Sequence, residues 1–361
     1  MLMVRELGPG GTERQAATIA RWLDRGRFMP HVACFHEGFR TEELRSAGVP
    51  VVRLPVQSFL SASALQGAWI LRRYLRQHRI RLVHSFDYPM NCFGVPVARL
   101  AGTPVVVSSQ RGSRELNPPL YNHMLRVTDR LVDAVVANCE AMRRHLVEDE
   151  GVPSERVRVC LNGLDTATFH PGSRARTPAL ADASLVIGVI SVLRPEKGLA
   201  TLVEAFAQVL DRQPGIRLAI VGSGPELSRL QQMAERLGIA DACVFEPAKA
   251  DVASVLRSID IFVLPSLSEA LSNSLMEAMA CGCAAVASAI GGNPELIVDG
   301  ETGLLFECGN TAALAAQLRR LIDDADLRGR LACAGSSRMA AEFSVTTAVA
   351  RVERLYESLL G

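Results

Sequence analysis

The sequence predicts an α/β protein made of two doubly wound domains, each built on a parallel sheet. Three observations predict it. Short apolar runs rich in β-branched residues alternate with longer helical patterns along the whole chain, as in repeated βαβ units. The 361 residues, 48% of them hydrophobic, suffice for two such domains with a core each. The composition changes near residue 170: residues 1–170 hold 22 Arg, no Lys and 16 acidic residues, a balance of +6, whereas the remainder holds 17 basic and 22 acidic residues, a balance of −5. All seven histidines fall in the first part. The stretch 169–178 is rich in Pro, Gly and polar residues, the composition of an interdomain linker, and sets the expected domains at 1–170 and 171–361.

The elements follow in order. In the first domain the apolar runs 1–4, 31–34, 51–54, 81–84, 104–107, 134–137 and 157–160 are expected strands, with helical patterns such as 12–23, 62–77, 120–131 and 141–147 between them. In the second, strands are expected at 185–192, 217–221, 243–245, 259–264, 284–287 and 303–306, with helices around 199–211, 226–237, 273–280 and 311–322. Open parallel sheets bind ligands at the loops that follow the carboxyl ends of their strands. In the second domain those loops hold Arg194-Pro195-Glu196-Lys197-Gly198, Gly222-Ser223-Gly224-Pro225, residues 265–273 and Gly291-Gly292-Asn293-Pro294-Glu295. In the first they hold Gly8-Pro9-Gly10-Gly11-Thr12, Ser85-Phe86-Asp87 and Ser109-Gln110-Arg111-Gly112. A cleft between two such edges is the expected site.

Composition excludes several classes. A net charge of +1 lacks the polyelectrolyte signature of a dedicated nucleic-acid binder. Nine cysteines, an odd number with no C-x-x-C pair, argue against a disulfide scaffold or a structural zinc site and for a reducing cytoplasm. No apolar run reaches the ~18 to 20 residues of a membrane span, and Arg5 and Glu6 stand where a signal-peptide core would be. Cys281-Gly282-Cys283 reads as packing at a helix end. Asp324-Ala325-Asp326 lies between two helical patterns, where Asp is more often an N-cap than a metal ligand.

The segment 268–282 carries the most chemistry. Ser272 or Asn273 can cap a helix that Gly282 ends in the left-handed conformation. That helix would begin at a strand's carboxyl edge, with the N–H groups of Ser272, Asn273, Ser274 and Leu275 and a positive dipole end available to a phosphate. Glu269 precedes the helix and Glu277 lies about one turn inside it, so two carboxylates flank the anion site and can accept hydroxyl hydrogen bonds, as sugars require. The plainer account makes both of them solvated helix-end charges favoured by the dipole. Gly222-x-Gly224 is a weak match to a dinucleotide fingerprint, since Leu227 fills the third glycine position, and reads as a tight turn that lets backbone approach a nucleotide. Only two lysines, Lys197 and Lys249, occur beside 37 arginines, and one of them sits in the proposed phosphate loop.

This segment resembles the E-x7-E motif of the family-4 retaining glycosyltransferases, whose GT-B fold sets two Rossmann-like domains facing one another. Five further pieces in the same order resemble that family: Gly10-Gly11-Thr12-Glu13, Asn162-Gly163-Leu164-Asp165 with Phe169-His170-Pro171, Arg194 through Gly198, Gly222-Ser223-Gly224-Pro225, and Gly291 through Glu295 with Gly300 and Gly303. The resemblance implies that Glu269 binds donor-sugar hydroxyls, that Glu277 binds ribose hydroxyls, and that Arg194 and Lys197 hold the diphosphate. It also implies a donor bound near Gly10, Gly11, Gly222 and Gly224, no metal or other cofactor, and a last helix that packs back on the first domain. Fixed cations and helix N–H groups can stabilise a departing nucleoside diphosphate without a metal.

Two departures stand out. Where many members of the family carry a histidine facing the donor sugar, this chain has Ser109-Gln110-Arg111-Gly112; Arg111 cannot be a general base but can stabilise a leaving phosphate or an acceptor anion. Ala270 stands where the family commonly has Gly. His84 and Asp87 are candidates for an acceptor role, with a structural histidine as the alternative. The reading is a retaining transfer of a hexose-type sugar from a nucleotide-diphosphate sugar to a hydroxyl of a glycan or lipid-linked acceptor. The alternatives are a nucleotide-sugar epimerase or sugar-phosphate synthase of the same fold, separated by acceptor-dependent release of nucleoside diphosphate, and a non-catalytic sugar-nucleotide-binding partner, separated by turnover. The basic first domain suggests reversible association with an anionic inner-membrane face through 71–81, against a solvated helix face with a core-facing stripe that Leu71, Leu75 and His78 would fit.

Overall fold

The computed structural model describes residues 1–361 except Pro9, Arg174, Ala175 and Ala250. Pro9 of the glycine loop, and Arg174 and Ala175 of the expected linker, thus lie outside the described residues. The chain forms two units, Met1–Gly163 with Val345–Gly361, and Leu164–Ser344.

In the first unit, β1 (Leu2–Glu6), β2 (Val32–His36), β3 (Val51–Arg53), β4 (Leu82–Ser85), β5 (Val105–Gln110), β6 (Ala134–Ala137) and β7 (Val157–Val159) form one parallel sheet in the order β3-β2-β1-β4-β5-β6-β7. Its helices are α1 (Gly11–Trp22), α2 (Phe39–Ser46), α3 (Ala62–Gln77), α4 (Tyr88–Ala101), α5 (Pro119–Thr128) and α6 (Glu140–Glu148). The second unit orders its six strands β10-β9-β8-β11-β12-β13, from β8 (Leu185–Ile190), β9 (Ile216–Val221), β10 (Cys243–Glu246), β11 (Ile261–Leu264), β12 (Ala284–Ser288) and β13 (Leu304–Phe306). Its helices are α7 (Leu199–Ala207), α8 (Leu227–Arg236), α9 (Val252–Arg257), α10 (Asn273–Ala280), α11 (Asn293–Leu296), α12 (Thr311–Asp323) and α13 (Ala325–Glu342). The last helix, α14 (Val345–Leu360), belongs to the first unit, where Val345, Val349, Val352, Leu355 and Tyr356 enter the core with Val4, Phe86 and Val136.

The strand order reverses between β1 and β4 in the first sheet and between β8 and β11 in the second. At such switch points the flanking loops diverge and leave room for a ligand. In the second unit the loops after β8 and β11 are those that carry Lys197 and Glu269, so the topology puts the expected phosphate loop beside the expected sugar carboxylate.

Each expected strand coincides with an observed one, with ends shifted by up to three residues. Gly163 replaces residue 170 as the point where the chain leaves the first unit. Gln15 clamps Gly163 on both sides, donating Nε2 to its carbonyl at 2.9 Å and accepting its N–H at 3.0 Å. The expected linker begins on chain already held by the second unit: Arg257 donates to the carbonyls of Thr168 at 2.8 Å and His170 at 3.0 Å. Polar composition there reflects a surface segment stapled by an arginine. In the expected basic patch 71–81, Leu71 and Leu75 are buried, at 0% and 2% exposure, as the alternative held, whereas His78 is exposed. The apolar side chains that α3 and its approach turn outward are Leu60, Leu65 and Trp69, earlier in the chain, with Arg73 stacked over the Trp69 ring at 5.4 Å. No helix among the described residues is long and apolar enough to cross a membrane.

Candidate active site

In the second unit three loops converge on Glu269. The loop after β8 closes as a 3-10 turn, Pro195–Lys197, ended by Gly198 in the left-handed conformation at φ 62°. A side chain at Gly198 would put its Cβ 2.1 Å from the Pro265 carbonyl oxygen, so only glycine lets this loop reach the loop after β11. Leu267 N–H then donates to the Glu196 carbonyl at 2.8 Å, joining the two loops backbone to backbone. From the other side the loop after β12 closes in. Gly291 adopts φ 50°, and a Cβ there would stand 1.9 Å from the Glu269 carbonyl oxygen, while Gly292 N–H donates to the Ala270 carbonyl at 2.8 Å.

Within this clamp Lys197 Nζ donates to Glu269 Oε2 at 2.8 Å, with side-chain exposures of 25% and 13%. Ser266 Oγ donates to the same oxygen at 3.1 Å, and Ser288 Oγ, at the end of β12, donates to the Ser266 carbonyl at 2.7 Å. Both serines are fully buried. Sequence reasoning missed them; a serine directly after a strand is too common to signal anything until its partners are seen. Arg194 differs from Lys197. Its side chain is 62% exposed and lies 3.9 Å from the Glu196 carboxylate, turned toward solvent and able to meet an anion.

The cap of α10 forms as expected. Ser272 Oγ accepts the N–H of Leu275 at 3.3 Å, Ser272 and Ser274 hydroxyls meet at 3.2 Å, and Gly282 follows the helix end at φ 84°. Leu275 is a correction: it is buried and its N–H serves the cap, so it is a structural member of the helix start and not an exposed donor. Asn273 and Ser274 are half-buried at the first turn. Glu277 is buried at 3% exposure. Neither carboxylate of the motif is therefore a solvated helix-end charge. Gly222 and Gly224 allow a close approach of two loops. Cβ atoms there would lie 1.8 Å from the Ser191 and 2.3 Å from the Leu193 carbonyl oxygens, so these glycines seat the loop after β9 against the loop after β8. Asn293 Nδ2 donates to the Ser288 carbonyl at 3.0 Å, and its buried Oδ1 has no hydrogen-bond partner among the described residues. An open hollow of about 620 Å³, lined by Ala289, Phe306, Glu307 and Cys308, lies at the same edge, with Cys308 Sγ 3.7 Å from the Ser266 carbonyl.

The first unit holds the remaining expected residues. Gly10 caps α1 and Gly11 begins it. A Cβ on Gly10 would fall 2.1 Å from Glu13 Oε2, so the missing side chain makes room for that carboxylate to fold back over the helix start. Arg111, after β5, donates to Asn162 Oδ1, and its guanidinium stacks over Phe86 at 5.5 Å. Burial pushes its pKa down to about 10. The enclosed cavity beside it, also lined by Gln15 and His84, measures about 10 Å³, room for one water and no sugar. His84 is a satisfied core histidine, bonded to Tyr356 Oη at 2.6 Å and Ser109 Oγ at 2.8 Å. Asp87 caps α4 through Met90 N–H at 2.9 Å and accepts Arg5 N–H, and burial raises its pKa to about 7. Asp324 caps α13 through Leu327 N–H at 2.8 Å, as expected for the D-x-D segment.

Two parallel-sheet units, with a cation, a paired carboxylate and a capped helix start at the switch point of the second, define a Rossmann-like α/β architecture. Two family models match the chain, the glycosyl transferase 4-like domain over residues 10–163 and glycosyl transferases group 1 over residues 175–338, and the protein belongs to this glycosyltransferase family, with the GT-B fold. It is 31% identical over 278 residues to the D-inositol 3-phosphate glycosyltransferase of Thermobifida fusca, an alignment covering 70% of this chain and 64% of that protein. The chain thus spans less than two thirds of that relative's length. Among solved structures it resembles Anabaena Alr3699/HepE in complex with UDP and glucose, with a TM-score of 0.86, 23% identity and coverage of 99% of this chain and 98% of that one. It also resembles sucrose-phosphate synthase from Thermosynechococcus elongatus, with a TM-score of 0.84, 18% identity and coverage of 99% and 98%.

Proposed function

We propose that the protein is a retaining glycosyltransferase that moves a hexose-type sugar from a nucleotide-diphosphate sugar to a hydroxyl of a glycan or lipid-linked acceptor, without a metal. The observation that carries this reading is Lys197 held 2.8 Å from Glu269 at the switch point between β8 and β11. A compact ammonium and an exposed guanidinium, Arg194, meet the diphosphate; Glu269 receives sugar hydroxyls and Glu277 the ribose. The bond from the sugar's anomeric carbon to the diphosphate oxygen breaks, the acceptor oxygen bonds to that carbon on the same face, and the acceptor proton passes to the leaving phosphate. Charge that develops on the leaving group is stabilised by Lys197, Arg194 and the start of α10, whose fixed positions need no reorganisation at the moment of reaction. That a fold relative binds UDP and glucose, and that a family relative is a D-inositol 3-phosphate glycosyltransferase, supports this class of donor.

The test is acceptor-dependent release of nucleoside diphosphate from UDP-, GDP- and ADP-sugars, with donors first ranked by thermal shift; a ligand at ~100 times its dissociation constant adds about 2.7 kcal/mol of apparent stability. Turnover is expected to survive EDTA. Arg194→Ala and Lys197→Ala are each expected to cost about 2 to 4 kcal/mol of transition-state stabilisation. Loss of turnover in EDTA that magnesium restores, or near-parental rates in both variants, would place the phosphate chemistry elsewhere.

The proposal extends to a lipid-linked acceptor met at an anionic bilayer. Its support is α3, which carries no acidic residue and exposes Leu65 and Trp69 beside Arg72, Arg73 and Arg76. Each basic residue near such a surface contributes about 1 kcal/mol, screened within a Debye length. Co-sedimentation with phosphatidylserine vesicles is expected at low salt, to fall at high salt, and to weaken in Leu65→Ser/Trp69→Ser. No binding at low ionic strength would remove the membrane and leave a soluble acceptor.

A further inference from the structure

We propose that Glu269 is a built-in competitor of the diphosphate for Lys197, positioned for that task by Ser266, so that the carboxylate which meets the sugar also hastens release of the spent nucleotide. The inference rests on the proposed donor site and adds a second task to one of its residues.

The geometry makes the competition direct. Lys197 Nζ and Ser266 Oγ both donate to Glu269 Oε2, at 2.8 and 3.1 Å, so the ammonium meets a full carboxylate charge before any ligand arrives. Ser266 is itself fixed, since its carbonyl accepts the Ser288 hydroxyl at 2.7 Å and both serines are buried. The loops cannot drift apart to relieve the pairing. Leu267 N–H is bonded to the Glu196 carbonyl, and the contacts at Gly198 and Gly291 leave no space for even a methyl group on either side. A diphosphate that approaches Lys197 must therefore displace Glu269 or share the ammonium with it, and two anions sharing one cation repel each other. With sugar present, displaced Glu269 has hydroxyl donors to accept in place of the ammonium. Once the sugar has left, those donors are gone and the carboxylate returns to Lys197, in competition with the product. Arg194 meets only a longer and more solvent-screened partner, the Glu196 carboxylate at 3.9 Å, and keeps most of its share of the diphosphate in both states.

This predicts a sign that damage to a site cannot produce. Calorimetric titration uses inorganic pyrophosphate and whichever of UDP, GDP and ADP raises the melting temperature of the parent. Glu269→Gln keeps the shape and the Ser266 bond but removes the charge, and is expected to bind both probes about fivefold tighter, equivalent to ~1 kcal/mol for a mostly buried ion pair, while transfer falls. Ser266→Ala loosens Glu269 and is expected to tighten both probes by a smaller factor. In a Lys197→Ala background Glu269→Gln is expected to bring no gain, because the contested cation is gone. Unchanged or weaker binding by a folded Glu269→Gln protein overturns the competition, and tightening by Glu269→Gln without any by Ser266→Ala overturns the positioning role. A parent that binds none of the three nucleotides overturns the donor-site reading, and this inference with it.

Discussion

His84 sits 1% exposed between Tyr356 and Ser109 in the first unit. Burial, chiefly, and then the nearby Arg111 guanidinium hold its pKa well below the ordinary value of 6.5, and burial holds the Tyr356 phenol protonated, well above 10. The neutral imidazole then donates through one ring nitrogen and accepts through the other, its two partners being the Tyr356 and Ser109 hydroxyls. Because the folded pKa is depressed, the unfolded chain binds the extra proton first as pH falls below about 6.5, so this residue's contribution is present at neutral pH and lost toward acid. The slope is about 1.4 kcal/mol per pH unit for a fully suppressed group. Denaturant unfolding at pH 7 and pH 5 is expected to show parent stability falling over that interval, and His84→Gln falling less, although it starts lower. Equal slopes in the two proteins would mean that His84 titrates normally in the fold. A core histidine and an acceptor histidine look the same in sequence; only Tyr356, 272 residues away, separates them.

The helices show the same dependence on context at a larger scale. α10 was legible from residues 272–282 because its signals are local: a hydroxyl cap, a helical run and a glycine that ends it. α4 was not among the expected helices, for physical reasons. It contains Pro96 in its interior and is buried on nearly all sides, so it shows neither helix propensity nor the polar stripe that betrays a surface helix. Its N-cap, Asp87, and its left-handed Gly102 at the far end were the readable marks. At the active edge two substitutions separate helix stability from loop convergence. Ser272→Ala is expected to cost about 1 kcal/mol, the value of a lost N-cap, and leave the Glu269 loop in place. Gly291→Ala forces a Cβ against the Glu269 carbonyl and is expected to cost about 1 to 3 kcal/mol, while displacing Glu269 and with it sugar-dependent turnover. Thermal unfolding and transfer assays on the two variants check this; a Gly291→Ala protein with parental turnover would show that the Glu269 loop tolerates displacement.

At the scale of the whole molecule, three chain segments make two units. α14 leaves the second unit's chain at Val345 and supplies five apolar side chains to the first unit's core, and its Glu353, 8% exposed, accepts the Asp24 N–H at 2.7 Å. Removing residues 345–361 is expected to uncover that core and orphan His84, so the first unit should lose cooperative unfolding and bind ANS while the second keeps its own transition. Calorimetry of the truncated chain checks this, and two parental transitions would show that the first unit folds without its last helix.

Sequence by itself determined what depends on neighbours along the chain. It set the two-unit parallel α/β architecture, because buried β-branched runs and helix periods repeat locally, and it set the cap and end of α10, because hydroxyl and glycine act within one turn. It also put Lys197 and Glu269 on loops at strand ends. Tertiary structure alone decided what depends on residues far apart. It paired Lys197 with Glu269 across 72 positions, recruited Ser266 and Ser288 to hold that carboxylate, committed Arg111 to Asn162, and moved the unit boundary to Gly163. The physical reason is range: dihedral preference and amphipathic period act over a few residues and leave a pattern in the chain, whereas an ion pair or a glycine contact forms only where the sheet order brings two loops together.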